Sequence, residues 1–526
     1  MRSAALLLLL SSLVVDAAWT PSRRSDIDPV TRNPVTRNAK SQTCVVAKSQ
    51  GNNTDDAPNF VKAAQQCKSD GVIVFQEGVD YNIFTPINAT LSNVEVQIKG
   101  NLHLPQDIPT IQAFVNKTTG GNLPWISLSG TNIALTGVQN VTTGWIYGYG
   151  ENWWNANVKN GTGLAGRPHL IKFNATGGYM SDLKHKKPIA WVHALYGNNI
   201  YVRKTFIDAT TAPGGGFPFN TATNVLIEDS VIRYYESPAP IPSLTLALYL
   251  LLVSFLLEPY APPACAVVNP SPLVVNGDDA ITVENGAENV TVRNALIGGP
   301  GCHGTSVGSL GQDQTVFNRV KNNYMRAQHL FPRKGEEDAG GKGQDSCDGA
   351  QRSGTWQIRS DEGESNRADA DPVQAQNVTW QNYHVENVTF PIYVTQTYVN
   401  QGSAQTQNSG EGSNTTATVN GRLNNASVVM ENFTYENWTG TINTYQRGDW
   451  SCVTNPCWYD VPGADGTQSI VIQCSNSTSC SDYQLKNIQV TPMSSKPASV
   501  LCTYLDAKAN PQLGFVCTNG TYVPTL

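Results

Sequence analysis

Charge is scarce in this chain: only 14% of its 526 residues are Asp, Glu, Lys or Arg, and the formal net charge is −6. A coiled coil, or a chain disordered throughout, needs far more charge than that. The acidic balance argues weakly against nucleic acid as a partner, although overall charge says little about a local cleft. Long apolar runs are also lacking. Past the N-terminus the one extended run is residues 244–257, shorter than the roughly 18–20 residues a bilayer helix needs, so no membrane span is expected. Metal ligands at regular spacing are missing too. Cys302 and His303 adjoin, but a metal centre takes three or four ligands, so no metal and no other cofactor is expected.

What is abundant is turn chemistry, with 45 Gly and 30 Pro beside 40% hydrophobic residues. That composition describes a turn-rich globular protein of one large or two ordinary domains. The chain begins MRSAALLLLLSSLVVDAAW. A charged Arg2, an apolar run and a small-residue end at Ala17-Ala18 read as a secretory signal peptide over residues 1–18. Residues 19–42 are polar, with a dibasic Arg23-Arg24, and read as a leader or linker. Eleven cysteines fit an oxidising compartment. Local pairing suggests Cys44 with Cys67, Cys452 with Cys457, Cys474 with Cys480 and Cys502 with Cys517, leaving Cys265, Cys302 and Cys347; sequence alone does not fix the connectivity. Asn-x-Ser/Thr sequons are dense, among them Asn88, Asn116, Asn174, Asn289, Asn377, Asn387, Asn432, Asn437 and Asn519. With a signal peptide, they point to a secreted glycoprotein.

From residue 43 onward the chain reads as one domain. DDAPNFVKAAQQCKSDG has helical spacing behind an Asp-rich start and suggests a capping unit. Then a motif recurs. NIYVRKTFI from Asn199, NVLIEDSVI from Asn224, NVTVRNALI from Asn289 and NVTWQNYHV from Asn377 each begin with Asn and alternate apolar residues. Alternation marks strands, and a period in the twenties marks a solenoid. The fold class expected is all-β, a single-stranded parallel β-helix in which each coil buries its apolar residues against the next and Asn stacks at the turns.

The chemistry concentrates in residues 275–311, VNGDDAITVENGAENVTVRNALIGGPGCHGTSVGSLG. Asp278 and Asp279 form a carboxylate pair and His303 follows in a glycine-rich turn. Asn-Gly-Asp-Asp alone is a common turn signal. Inside a ladder of short strands, two carboxylates and a histidine suit acid/base hydrolysis of a glycosidic bond. Two stretches break the strand pattern: residues 236–272, which hold the apolar run, and residues 326–371, rich in Gly, Glu, Lys and Arg. We read both as translated non-coding sequence, the alternative being genuine long loops.

NGDDAI followed by GCHGTSVGSLG in such a solenoid resembles the polygalacturonase family of pectin-degrading glycoside hydrolases, family 28. WIYGYG before Trp153-Trp154, and FPIYVTQTY ending at Tyr398, extend the resemblance; the latter is similar to the fungal exo-acting branch. The resemblance implies a right-handed, pectin-lyase-like β-helix, secreted and monomeric. It also implies inverting hydrolysis of α-1,4 linkages, without metal, on polygalacturonate. Asp278 would protonate the leaving oxygen, Asp279 would help activate water, and His303 would tune the acid and touch substrate. Tyr398 would be a substrate contact or a core aromatic. Independently of the family, the run Lys184-His185-Lys186-Lys187 offers Lys186 as a group that attracts galacturonate, or simply a solvated face.

Two departures accompany the resemblance. The family carries a further carboxylate in Asn-Thr-Asp-Gly, where this chain reads Asn220-Thr221-Ala222, and its Arg-x-Lys after the histidine strand is absent before Asn377. The alternatives to an exo-polygalacturonase are therefore a rhamnogalacturonan- or xylogalacturonan-directed relative and a catalytically impaired pectin-binding homologue.

Overall fold

A computed structural model describes residues 40–517, apart from short interruptions and the longer stretches 234–280, 332–356, 361–373, 397–427 and 443–460. Every strand pairing among the described residues is parallel. The chain winds into a right-handed parallel β-helix whose coils present three faces in turn. The first face holds Ile87–Ser92, Pro124–Thr131, the opening residues of His169–Ser181, of His193–Arg203 and of Phe217–Glu228, then Ile281–Val283 and Thr305–Leu310. It continues through Gln357–Ser360, Ile392–Thr395, Gln468–Gln473 and Ser499–Thr503. The second face runs from Gln42–Val45 through Glu95–Ile98 to Glu288–Arg293 and beyond. The third includes Asp80–Asn82, Asn101–His103, Trp145–Tyr147, Lys184–Lys186 and Phe206–Asp208.

The repeats expected from sequence stack as expected. Ile200 pairs with Val225 and Val225 with Val290, while Val378 pairs with Phe433. Strand Arg319–Arg326 supplies a coil between Asn289 and Asn377 that the motif does not reveal, because RVKNNYMR lacks the clean alternation. Asn199, Asn289 and Asn377 adopt left-handed backbone at the corners, each with φ of 56°, as does Asn432 with 57°. Asparagine tolerates that region, and its short amide bridges to the next coil. Asn432 Nδ2 donates to Asn377 Oδ1 at 2.8 Å. A second ladder runs from Asn487 through Asn437 to Asn382, each step 2.9 Å.

Alternation gives each coil an inward apolar residue, and the columns fill the interior. Trp380 stacks on Tyr435 at 4.8 Å between ring centroids, and Tyr383 on Trp438 at 4.5 Å. All four are fully buried, and each such pair contributes about 0.5–1.5 kcal/mol beyond its burial. The N-terminal end is closed by helix Ala57–Gln66 and the Cys44–Cys67 disulfide. Asp56 anchors this cap. It is buried and accepts from Lys48 Nζ at 2.7 Å, Ser49 N–H at 2.7 Å and Asn82 N–H at 2.8 Å. Burial pulls its pKa upward, but these donors outweigh burial and hold it below the usual carboxylate range.

Disulfides Cys474–Cys480 and Cys502–Cys517 are formed as the spacing suggested. Cys452 and Cys457 lie outside the described residues, as do the signal peptide, most of the leader, residues 236–272 and most of 326–371. No helix among the described residues is long and apolar enough to cross a membrane.

Candidate active site

Asp278, Asp279, His303 and Tyr398 lie outside the described residues. The strands that follow them are described. Ile281–Val283 begins two residues after Asp279, and Thr305–Leu310 begins two residues after His303. These strands are direct neighbours on the first face, with Ile281 opposite Thr305, Thr282 opposite Ser306 and Val283 opposite Val307. Residues 24 positions apart in sequence thus become adjacent because one coil separates them. Ile281, Val283 and Val307 point into the core with no exposure. Thr282 and Ser306 stand on the opposite side of the strands, yet they too are buried. The outer surface of the first face is therefore covered at this coil, unlike the exposed surface around Asn88 and Asn174 nearer the N-terminus.

The neighbouring coil shows where the sequence departs from the expected carboxylate. Phe217 pairs with Ile281 and Phe219 with Val283, so the residues preceding Phe217 by two and three are Gly215 and Gly214, where Asp279 and Asp278 precede Ile281. Ala222 pairs instead with Gly197, beyond a register shift between Leu195 and Gly197. Gly197 has φ of +100°, and a Cβ there would come within 2.2 Å of Ala175 O, so only glycine fits that bend. Ala222 therefore belongs to the corner after the strand rather than to the stretch leading into it.

Lys186 is exposed on the third face, its Nζ 5.7 Å from the Tyr147 ring centroid and 6.0 Å from that of Trp145. Its strand pairs with Trp145–Tyr147 and Phe206–Asp208, not with the strands that follow Asp279 and His303. Sequence reasoning missed a cation on the first face. Lys172, half-buried between inward Ile171 and Phe173, holds its Nζ 4.7 Å over the ring of Tyr196 on the next coil. No local signal marks this pair, because the two residues meet only through strand register.

Two buried histidines were also not singled out. His185 and His193 are fully buried with ring centroids 4.5 Å apart, edge to face. His185 lies between Ile146 and Ile207 in its column, and neither ring nitrogen has a hydrogen-bond partner. Burial pushes its pKa down to about 3, and burial, together with the repulsion a second proton on the neighbouring His185 would bring, holds His193 well below its ordinary value. Both are neutral core residues. Lys184 is nearly buried, donates to the Val138 and Asn140 carbonyls, and is pulled down to about 8 by burial. Among the described residues no group of three His, Cys, Asp or Glu could hold a metal ion.

Comparison with known proteins places this arrangement. A family model described as Glycosyl hydrolases family 28 matches residues 266–331, a window that contains Asp278, Asp279 and His303. A protein named "Probable exopolygalacturonase C" from Aspergillus flavus is 36% identical over 503 residues, covering 93% of this chain and 94% of that protein. The chain belongs to glycosyl hydrolases family 28. A similarly named protein from Neosartorya fischeri is 35% identical over 538 residues, covering 99% of this chain and 98% of its own. Family 28 membership makes this chain a glycoside hydrolase. Among solved structures, the endo-xylogalacturonan hydrolase of Aspergillus tubingensis superposes with a TM-score of 0.60 at 18% identity, covering 91% of this chain and 99% of that one. A polygalacturonase from Erwinia carotovora does so at 0.50 and 14% identity, covering 87% of this chain and 96% of that one. These two likenesses bear on the fold alone. The family 28 window begins inside one of the two pattern-breaking stretches, 236–272, and ends inside the other, 326–371.

Proposed function

We propose that this family 28 chain is a secreted exo-polygalacturonase, releasing galacturonic acid from the ends of polygalacturonate by inverting hydrolysis of α-1,4 bonds. The observation that carries the reading is the register of Ile281–Val283 against Thr305–Leu310, which makes neighbours of the strands following the carboxylate pair and the histidine. The similarity to the exopolygalacturonase C proteins supports the substrate and the chain-end mode.

In this mechanism Asp278 gives its proton to the leaving glycosidic oxygen as the bond to the anomeric carbon breaks. Asp279 accepts a proton from the water that attacks that carbon from the other side. Inversion requires the acid and base carboxyls to stand about 6.5–9.5 Å apart, leaving room for the water. The acid must hold its proton at mildly acid pH, which requires its pKa to be raised by its surroundings. His303 tunes the acid and contacts substrate, and Tyr398 lines the sugar site. Lys172, on the first face, is better placed than Lys186 to meet a galacturonate carboxylate travelling along that face.

The test is Asp278→Asn, assayed by reducing-sugar release from polygalacturonate. The expected loss is about 10²–10⁴-fold with secretion into the medium unchanged, and near-parental rates would remove Asp278 from the role of acid. A second reading, a pectin-binding protein with impaired catalysis, is favoured by one observation: glycines precede Phe217 where the neighbouring coil has its aspartates.

A further inference from the structure

Six of the sequons fall into two structural classes. In the first the asparagine amide is built into a ladder. Asn432 Nδ2 donates to Asn377 Oδ1 at 2.8 Å, and Asn437 Nδ2 donates to Asn382 Oδ1 at 2.9 Å while its own Oδ1 accepts from Asn487 at 2.9 Å. All of these asparagines have left-handed backbone, with φ between 52° and 62°. In the second class, Asn88, Asn116 and Asn174 stand exposed and make no ladder bond; Asn432 is exposed as well, but its amide is tied to Asn377. Asn116 caps the C-terminal end of helix Ile108–Val115. Asn88 and Asn174 lie on strands of the first face, between inward-pointing Ile87 and Ala89 and between Phe173 and Ala175. Their side chains therefore project from the outer surface of the same sheet that carries Ile281–Val283 and Thr305–Leu310.

We propose that Asn88, Asn116 and Asn174 carry N-linked glycans while the ladder sequons Asn377, Asn432 and Asn437 carry none. The inference rests on the secreted reading above. In the transfer, the asparagine amide nitrogen forms a bond to the anomeric carbon of a lipid-linked oligosaccharide diphosphate, loses a proton, and the lipid diphosphate leaves. A ladder amide so modified keeps a single N–H and bears a sugar where the next coil must stack. Chains modified there fail to close the helix, so the folded secreted protein has none.

Occupancy is read by releasing glycans enzymatically in heavy-oxygen water from the full chain secreted by a fungal host, then mapping the marked aspartates by mass spectrometry. Marks at 88, 116 and 174 and none at 377, 432 and 437 are expected; a bare Asn174, or a glycan on Asn432 or Asn437, overturns the division.

Discussion

Replacing His185 by Ile should make the protein more resistant to acid, by an amount that follows from where the ring sits. His185 is fully buried between Ile146 and Ile207, so an isoleucine continues an existing aliphatic column. Its pKa is pushed down to about 3 by burial, whereas an unfolded histidine titrates near ~6.5. The folded state keeps the ring neutral while the unfolded state takes up a proton as pH falls below that value. Stability from this group is therefore complete above pH ~6.5 and is lost as pH falls toward about 3. At pH ~4.5 the loss is about two units' worth, or ~2.7 kcal/mol, a large share of a typical stability of ~5–15 kcal/mol. Urea unfolding of parent and variant at pH ~7.5 and ~4.5 isolates it, because every carboxylate is common to both proteins. The stability gap should move in favour of His185→Ile by ~2.7 kcal/mol between the two pH values. A gap that does not change with pH, or moves the other way, would refute the assignment of His185 as a neutral core residue.

Four further outcomes are expected. Asp56→Ala leaves Lys48 and two backbone donors facing a buried site, and should cost ~3–5 kcal/mol, read as a lowered urea midpoint; a change below ~1 kcal/mol would contradict the anchoring role. Ala222→Asp alone should leave polygalacturonate hydrolysis unchanged, because Ala222 pairs with Gly197 at a corner. Inserting an Asp-Gly-bearing half-coil between Thr221 and Thr223, with residues 236–272 deleted, should raise reducing-sugar release by orders of magnitude, since misplacing a catalytic group by ~1 Å already costs on the order of 10²-fold. Residues 244–257 should leave the protein in the supernatant on carbonate extraction, and retention in the membrane pellet would show that they span a bilayer.

The local patterns of this chain were enough to establish that it is a β-helix. Alternation decides which side chains enter the core, and the Asn199, Asn224, Asn289 and Asn377 units declare the coil length because each corner needs a residue that tolerates left-handed backbone. Three disulfides between near neighbours were legible for the same reason, as was the pair of motifs around Asp278 and His303. Strand register was not legible. It depends on how many residues each corner consumes, and only the stacked coils reveal the slip that sets Phe217 opposite Ile281 and Ala222 opposite Gly197. The same long-range pairing assigns Lys186 to the third face and brings Lys172 over Tyr196. It also decides which sequon asparagines are bonded into a ladder and which are not. The tripeptide Asn-x-Thr is identical in both classes, and the difference between them exists only once one coil rests on another.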